Sequence, residues 1–494
     1  MTLSTLKERI YISVPIISII FLSTLCTKKA ETIIVTPTPT PVVAHNYGSA
    51  QSWVTTGDQT KLLTNQGLVY FDKKDVTTNP IITIDSTVKY QSIDGFGAAL
   101  TGSSASNINR LNSADKKSLL NNLFDATTGI GISYLRITIG ASDFSDSNFS
   151  YDDVSFGQTD FDLKYFSIAK DQPDLIPLLK LIKSINPTIK ILACPWSAPA
   201  WMKTSSNMVG GSLRKEAYAA YANYFVKYIQ AFQNEGITID AVTPQNEPLY
   251  YTATYPCMSM LATEQTDFIK NNLGPAFKNA GITTKIIIYD HNWDHPEYPM
   301  SILADTAAAK YISGSAFHGY GGTVGNMLQV HQAFPNKDLY FTEISGGEWA
   351  PDFSGNLIWN LSNIFIGTVN NWSKSALMWN LALDQNHGPT NHGCDNCRGV
   401  VTINSTNGTI SNNVEYYAIG HLSKFVKTGA YRIGVTNTLS ASQLDLTAFM
   451  NPDGTKVIVA INPEDNTKTI VFRLNERQLT YIMTPKSVVT LVID

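Results

Sequence analysis

Between residues 93 and 424 the chain alternates short apolar runs with longer amphipathic stretches. The runs fall at 93–97, 133–138, 189–194, 240–243, 285–290, 314–318, 338–342 and 375–380. Short runs of this kind read as buried strands, and the stretches between them, such as 216–229, carry helical spacing. Eight strands alternating with helices is the tally of a (β/α)8 barrel. Beyond about Phe425 the texture changes. Apolar runs at 444–450, 456–461, 469–474 and 487–493 follow one another, the first two joined by the turn Asn451-Pro-Asp-Gly454, with no convincing helix between them. The pattern predicts an α/β fold: a (β/α)8 TIM barrel over 93–424 with an attached all-β sandwich over 425–494. Residues 48–92, with strand-like runs at 67–71 and 80–84, precede the barrel and are expected to join the sandwich.

The first 47 residues read differently. Lys7 and Arg9 precede an apolar stretch at 10–25 that ends at Cys26, an export signal over 1–26. Pro15 argues against a stable membrane-spanning helix. Ser23-Thr-Leu-Cys26 resembles a lipoprotein cleavage box, although Leu25 departs from the usual small residue. A Thr/Pro-rich linker at 27–47, containing Thr36-Pro-Thr-Pro-Thr-Pro41, forms an extended, stiff spacer. The expectation is an exported protein, either a cell-surface lipoprotein anchored by lipid at Cys26 or a secreted chain cleaved elsewhere.

Composition narrows the function classes. With 494 residues, 43% of them hydrophobic and 15% charged, the chain can bury a large core. A net charge of −4 gives no electrostatic reason to expect a nucleic-acid partner. Five cysteines are too few for a disulfide framework in a chain of this length.

Two carboxylates end strand-like runs: Glu247 in Ile239-Asp-Ala-Val-Thr-Pro-Gln-Asn-Glu-Pro248, and Glu343 in Leu339-Tyr-Phe-Thr-Glu343. They belong to the fourth and seventh expected strands, so both should reach one rim of the barrel. Two carboxylates across a mouth are what glycosidic hydrolysis needs, one as acid and the other as nucleophile or base. A neighbouring ionised Glu343 is expected to raise the pKa of Glu247. Singly each motif is weak, because Asn-Glu-Pro also starts helices and Thr-Glu commonly ends strands.

Several segments taken together resemble glycoside hydrolase family 30, the family of glucosylceramidase and β-1,6-glucanases. They are Gly95-Phe-Gly97, Leu135-Arg136, Ala141-Ser-Asp-Phe144, Pro195-Trp-Ser-Ala-Pro-Ala-Trp-Met-Lys203, Thr243-Pro-Gln-Asn-Glu-Pro248, Phe317-His318 with Tyr320, Thr342-Glu343, Trp379-Asn-Leu-Ala-Leu-Asp384 and Gly420-His-Leu-Ser-Lys-Phe425. The resemblance implies a retaining mechanism with Glu247 as acid/base and Glu343 as nucleophile. It also implies that Asp143 and Trp196 bind the sugar, that Arg136 lies near the nucleophile, and that Asn246 contacts the hydroxyl beside the anomeric carbon. His318, Tyr320 and Trp379 would line the same site. Without it, Trp196 and Trp379 read as core aromatics and Arg136–Asp143 as a structural ion pair. Tyr289-Asp-His-Asn-Trp-Asp-His295 reads equally as a substrate loop or a solvated one.

His387-Gly-Pro-Thr-Asn-His-Gly-Cys-Asp-Asn-Cys397 invites a zinc reading, but its spacing fits no standard finger, and a Cys394–Cys397 disulfide suits an exported chain better. No metal or organic cofactor is implied. Cys397-Arg-Gly-Val-Val-Thr402 resembles the loop after strand eight in the β-1,6-glucanase branch. The expected partner is therefore a β-glucan polysaccharide or oligosaccharide. The rivals are glucosylceramide-like, xylosyl or fucosyl substrates of the same family, and a non-catalytic surface glycan-binding protein.

Overall fold

The computed structural model describes residues 47–494; the export segment and all but the last residue of the expected linker lie outside the described residues. Eight parallel strands close a barrel: β1 (Gly95–Ala99), β2 (Tyr134–Thr138), β3 (Lys190–Cys194), β4 (Ala241–Val242), β5 (Lys285–Asn292), β6 (Ile312–His318), β7 (Asp338–Glu343) and β8 (Ser373–Met378). β8 pairs with β1 to complete the ring.

The barrel interior is built in layers. Tyr134, Leu192, Ala241, Ile287, Ala316, Tyr340 and Leu377, one from each strand β2 to β8, form a buried apolar cluster. In that layer β1 supplies Gly97, in register with both Tyr134 and Leu377. A Cβ at Gly97 would lie 2.0 Å from the Tyr134 carbonyl oxygen, so only glycine lets β1 and β2 approach this closely. Side chains alternate with period two along a strand. Two residues further along β2, β3 and the strands that follow come Arg136, Cys194, Thr243, His318, Thr342 and Trp379. The apolar plug therefore carries a polar floor above it, at the C-terminal ends of the strands, where barrels hold their sites.

β5 breaks the alternation. Tyr289 and Asp290 have φ of 75° and 61°, and the register with β6 shifts between Ala316 and Phe317. This bulge puts Asp290 into the polar layer where strict alternation would have put Tyr289.

The remaining long strands form one ten-stranded sheet, in the order Thr64–Tyr70, Ser49–Thr56, Ser487–Ile493, Lys456–Asn462, Asp445–Met450, Tyr431–Asn437, Ile81–Ser92, Lys468–Leu474, Arg477–Met483, Asp72–Lys73. Strands preceding the barrel interleave with strands following it around a second apolar core that includes Ile82, Ile84, Leu446, Phe472 and Leu491. Ser49–Thr56, Tyr431–Asn437 and Arg477–Met483 are additions to the strands read from the apolar pattern. Their polar residues interrupt the apolar runs, and partnering strands supply the hydrogen bonds that define them. The last helix of the barrel, Val414–Ser423, is tied to this sheet by His421, whose two ring nitrogens lie 2.9 and 2.8 Å from the hydroxyls of Thr490 and Thr55.

Candidate active site

At the barrel mouth, Glu247, His318 and Glu343 each place one polar side-chain atom within 4.8 Å of the other two. Glu343 ends β7, whereas Glu247 stands in the turn after β4 with φ of 44°, left-handed backbone rare for a residue with a side chain. That turn is fastened to the β5 bulge, where the Glu247 backbone N–H donates to the Asp290 carbonyl at 3.0 Å.

Asp290 organises the floor. Its Oδ2 accepts from Arg136 Nη2 at 2.9 Å, Thr243 Oγ1 at 2.7 Å and Cys194 Sγ at 3.0 Å. Its Oδ1 accepts from Thr342 Oγ1 at 2.6 Å and lies 3.0 Å from His318 Nε2. Burial acts to raise this carboxyl, but Arg136 and then His318 outweigh it and hold Asp290 well below the ordinary carboxylate range. The sequence placed Asp290 in a polar loop; the bulge instead makes it the fully buried counter-ion of the site.

Arg136, equally buried, spreads its guanidinium over three acceptors: Asp290, Asn246 Oδ1 at 2.7 Å and Glu343 Oε2. Its ion pairs are with Asp290 and Glu343 rather than Asp143. The other Glu343 oxygen accepts from the Tyr320 hydroxyl at 3.0 Å. Asn246, having given its carbonyl to Arg136, keeps its amide nitrogen for a ligand.

Electrostatics depart from the sequence expectation. Burial raises Glu343, against the pull of His318 and Arg136. Burial also acts upward on Glu247, but the hydrogen bond and charge of His318 outweigh it, so Glu247 is lowered rather than raised. Burial would lower His318, yet Glu343 and Asp290 prevail and bring it up to about 9. His318 Nδ1 lies 3.0 Å from Glu247 Oε1. These directions favour a proton on His318 Nδ1 shared with Glu247 Oε1, and moving it across turns Glu247 into an acid without changing the net charge of the site. The donors on both oxygens of Glu343 favour its ionised form. A protonated His318 also has no lone pair to offer, so the Glu247–His318–Glu343 cluster suits proton transfer better than metal binding.

Trp196 and Trp379 stack at 5.0 Å with 23° between their planes, and the Arg136 guanidinium lies 4.8 Å from the Trp196 ring. Asp143 sits beside them, almost fully buried, with one carboxylate oxygen lacking any protein hydrogen-bond partner. Burial first, and then the Glu343 charge, push this carboxyl well up. An orphaned carboxylate oxygen in a cleft is satisfied by a ligand hydroxyl. Cys394 and Cys397 are disulfide-bonded, which removes both from any zinc set, and they form part of the cleft wall. A Cβ at Gly393 would lie 2.7 Å from the Asp143 Cβ, so the loop bearing the disulfide holds Asp143 in place.

The resulting cleft, about 330 Å³, is lined by Glu247, Glu343, Asp143, Trp196, Asn246, Tyr320 and Trp379 among others. Of the residues expected at the site, Arg136 and His318 lie in the layer beneath, facing carboxylates. Tyr250, Tyr255 and Trp349 also line the cleft and were absent from the sequence reading. Thr243 and Thr342 left one signal in the sequence, as hydroxyls at inward positions of otherwise apolar strands.

Residues 93–426 match the glycosyl hydrolase family 30 TIM-barrel domain, and residues 429–491 the beta sandwich domain of the same family. The chain is 39% identical over 402 residues to an endo-1,6-beta-D-glucanase of Neurospora crassa, covering 78% of this chain and 82% of that protein. It is 30% identical over 413 residues to the lysosomal acid glucosylceramidase of Mus musculus, with 78% of each chain covered. Among solved structures, the endo-beta1,6-glucanase BT3312 superposes with a TM-score of 0.85 at 39% identity, over 90% of this chain and 99% of that one.

Proposed function

The chain belongs to glycosyl hydrolase family 30, and from that premise we propose that it cleaves the β-1,6-glucosidic bonds of a glucan with retention of configuration. One observation carries the stereochemistry. Carboxylate oxygens of Glu247 and Glu343 approach within 4.8 Å, in keeping with the ~5 Å of a retaining pair and short of the roughly 6.5–9.5 Å of an inverting one.

In the first step a Glu343 oxygen attacks the anomeric carbon. The bond from that carbon to the O6 of the next glucosyl unit breaks, and O6 takes the proton from Glu247. In the second step Glu247, now a carboxylate, accepts a proton from water. The hydroxide attacks the anomeric carbon and the bond to Glu343 breaks. Arg136 and Tyr320 hold Glu343 on both oxygens, which orients it and stabilises the charge it regains on departure. Asp143 and the Asn246 amide are available to sugar hydroxyls, and Trp196 and Trp379, stacked on each other, add ring atoms to the cleft wall.

The β-1,6 linkage is supported by the relatives of about 39% identity and by the segment 397–402 in the cleft wall region. Export, with or without a lipid on Cys26, is part of the same proposal and is supported by the apolar stretch at 10–25. Product analysis on β-1,6-glucan beside β-1,3-glucan, cellulose, xylan, glucosylceramide and an aryl β-glucoside tests the reading, with Glu343→Gln as control. Gentio-oligosaccharides released from the β-1,6 polymer by the native chain and not by the variant are expected. Turnover confined to another substrate would overturn the linkage. Binding without turnover anywhere would favour a glycan-binding protein.

A further inference from the structure

Next to the cleft lies a second depression of about 520 Å³, walled by the loop after β7 and by the helix Phe353–Trp359. It shares Tyr320, Ser345 and Trp349 with the catalytic cleft, so the two form one continuous surface. Its lining is mainly apolar, and its far side carries Trp359. Trp349 and Trp359 are 55% and 43% exposed, unusual for the largest apolar side chain in a protein that buries most of its other tryptophans.

Trp349 packs on the backbone beside it. Its ring lies against Gly347, where an added Cβ would fall 1.9 Å from the indole. Gly347 is in turn paired across a short ribbon with Cys397 of the disulfide. An aromatic ring already packed on backbone has less freedom to lose when a ligand arrives.

The barrel order decides what meets this face. Asp143, Trp196 and Trp379 follow β2, β3 and β8 and enclose one side of the carboxylate pair. Glu247, which protonates the leaving oxygen, follows β4; Tyr320 and Trp349 follow β6 and β7. The sector from β4 to β7 is the one left for the leaving group, and Tyr320 and Trp349 stand on its β6–β7 edge with the depression beyond.

We propose that this depression is a binding site for the leaving-group portion of the glucan, with Trp359 as the stacking platform for a glucosyl unit beyond those held in the cleft. It rests on the β-1,6-glucanase reading. Glucosyl rings present C–H faces that suit an indole while their hydroxyls stay in water, which fits a lining of aromatic and few polar groups.

The experiment measures kcat/KM on gentio-oligosaccharides of increasing length, an aryl β-glucoside and octyl β-glucoside, for the native chain, Trp359→Ala and Trp359→Tyr. For Trp359→Ala the loss should be about tenfold on the long oligosaccharides, the size of one aromatic stacking contact. The aryl glucoside should be unaffected, and Trp359→Tyr should restore most of the loss. Equal ratios at every length, or no change at all, would overturn the site while leaving the substrate reading intact. A loss confined to octyl β-glucoside would assign the depression to an apolar leaving group instead. Native chain inactive on every gentio-oligosaccharide would overturn the substrate reading and the site with it.

Discussion

His318→Gln tests the electrostatic core of the site most directly. The glutamine amide nitrogen can still reach Asp290, but the contact to Glu247 and the extra proton are lost. In the native protein His318 rises from its ordinary 6.5 to about 9, because Glu343 and Asp290 outweigh the burial that would lower it. At ~1.36 kcal/mol per pH unit, that rise corresponds to about 3 kcal/mol of folding stability. A raised folded-state pKa places this contribution fully below pH ~6.5 and removes it as the pH climbs through about 9. Lys203, lowered by burial from 10.5 to about 7, acts in the opposite sense, since its penalty is relieved as the pH rises from about 7 to 10.5. The total stability profile therefore conceals His318, and the informative quantity is the difference between native chain and variant. Urea unfolding at pH 6 and pH 9.5 should show the native advantage shrinking by about 3 kcal/mol. The same variant should move the alkaline limb of kcat/KM to lower pH by more than one unit, because Glu247 alone cannot keep a proton as long as the His318–Glu247 pair does. An advantage that stays constant across this window, with an unmoved alkaline limb, would refute the shared proton.

Glu247→Gln should lower kcat/KM on glucan by about 10²–10⁴-fold, but far less on a dinitrophenyl β-glucoside, whose leaving group needs no proton. Added azide should restore turnover as β-glucosyl azide, and an equal loss on both substrates would remove Glu247 from the acid role. The paired change Cys394→Ser with Cys397→Ser should raise KM about fivefold, ~1 kcal/mol, with kcat little altered, because the loop it loosens holds Asp143. An unchanged KM would show that the loop keeps its place without the disulfide.

Much of the barrel was legible because its signals are local. Apolar runs of strand length separated by helical spacing depend only on residues close in the chain, and all eight expected strands coincide with observed ones to within a few residues. Glu247 and Glu343 stood out for the same reason, each ending such a run. The sandwich was read less completely. Ser49–Thr56 and Tyr431–Asn437 are strands because partners from the other end of the sequence pair with them, and no local periodicity records a partner hundreds of residues away.

Local pattern was enough to reveal the barrel, the strand-end carboxylates and the likeness to the family. The tertiary structure decided how those carboxylates are charged. Alternation along β5 points Tyr289 inward; the bulge, held by neighbouring strands and by the Glu247 turn, substitutes Asp290. That single exchange supplies the buried counter-ion for Arg136 and His318, and His318 then lowers Glu247 where a bare pair of glutamates would have raised it. Strand propensity is a property of a few adjacent residues. A buried pKa is set by charges a few ångströms away on strands far apart in sequence, so only the closed barrel fixes it.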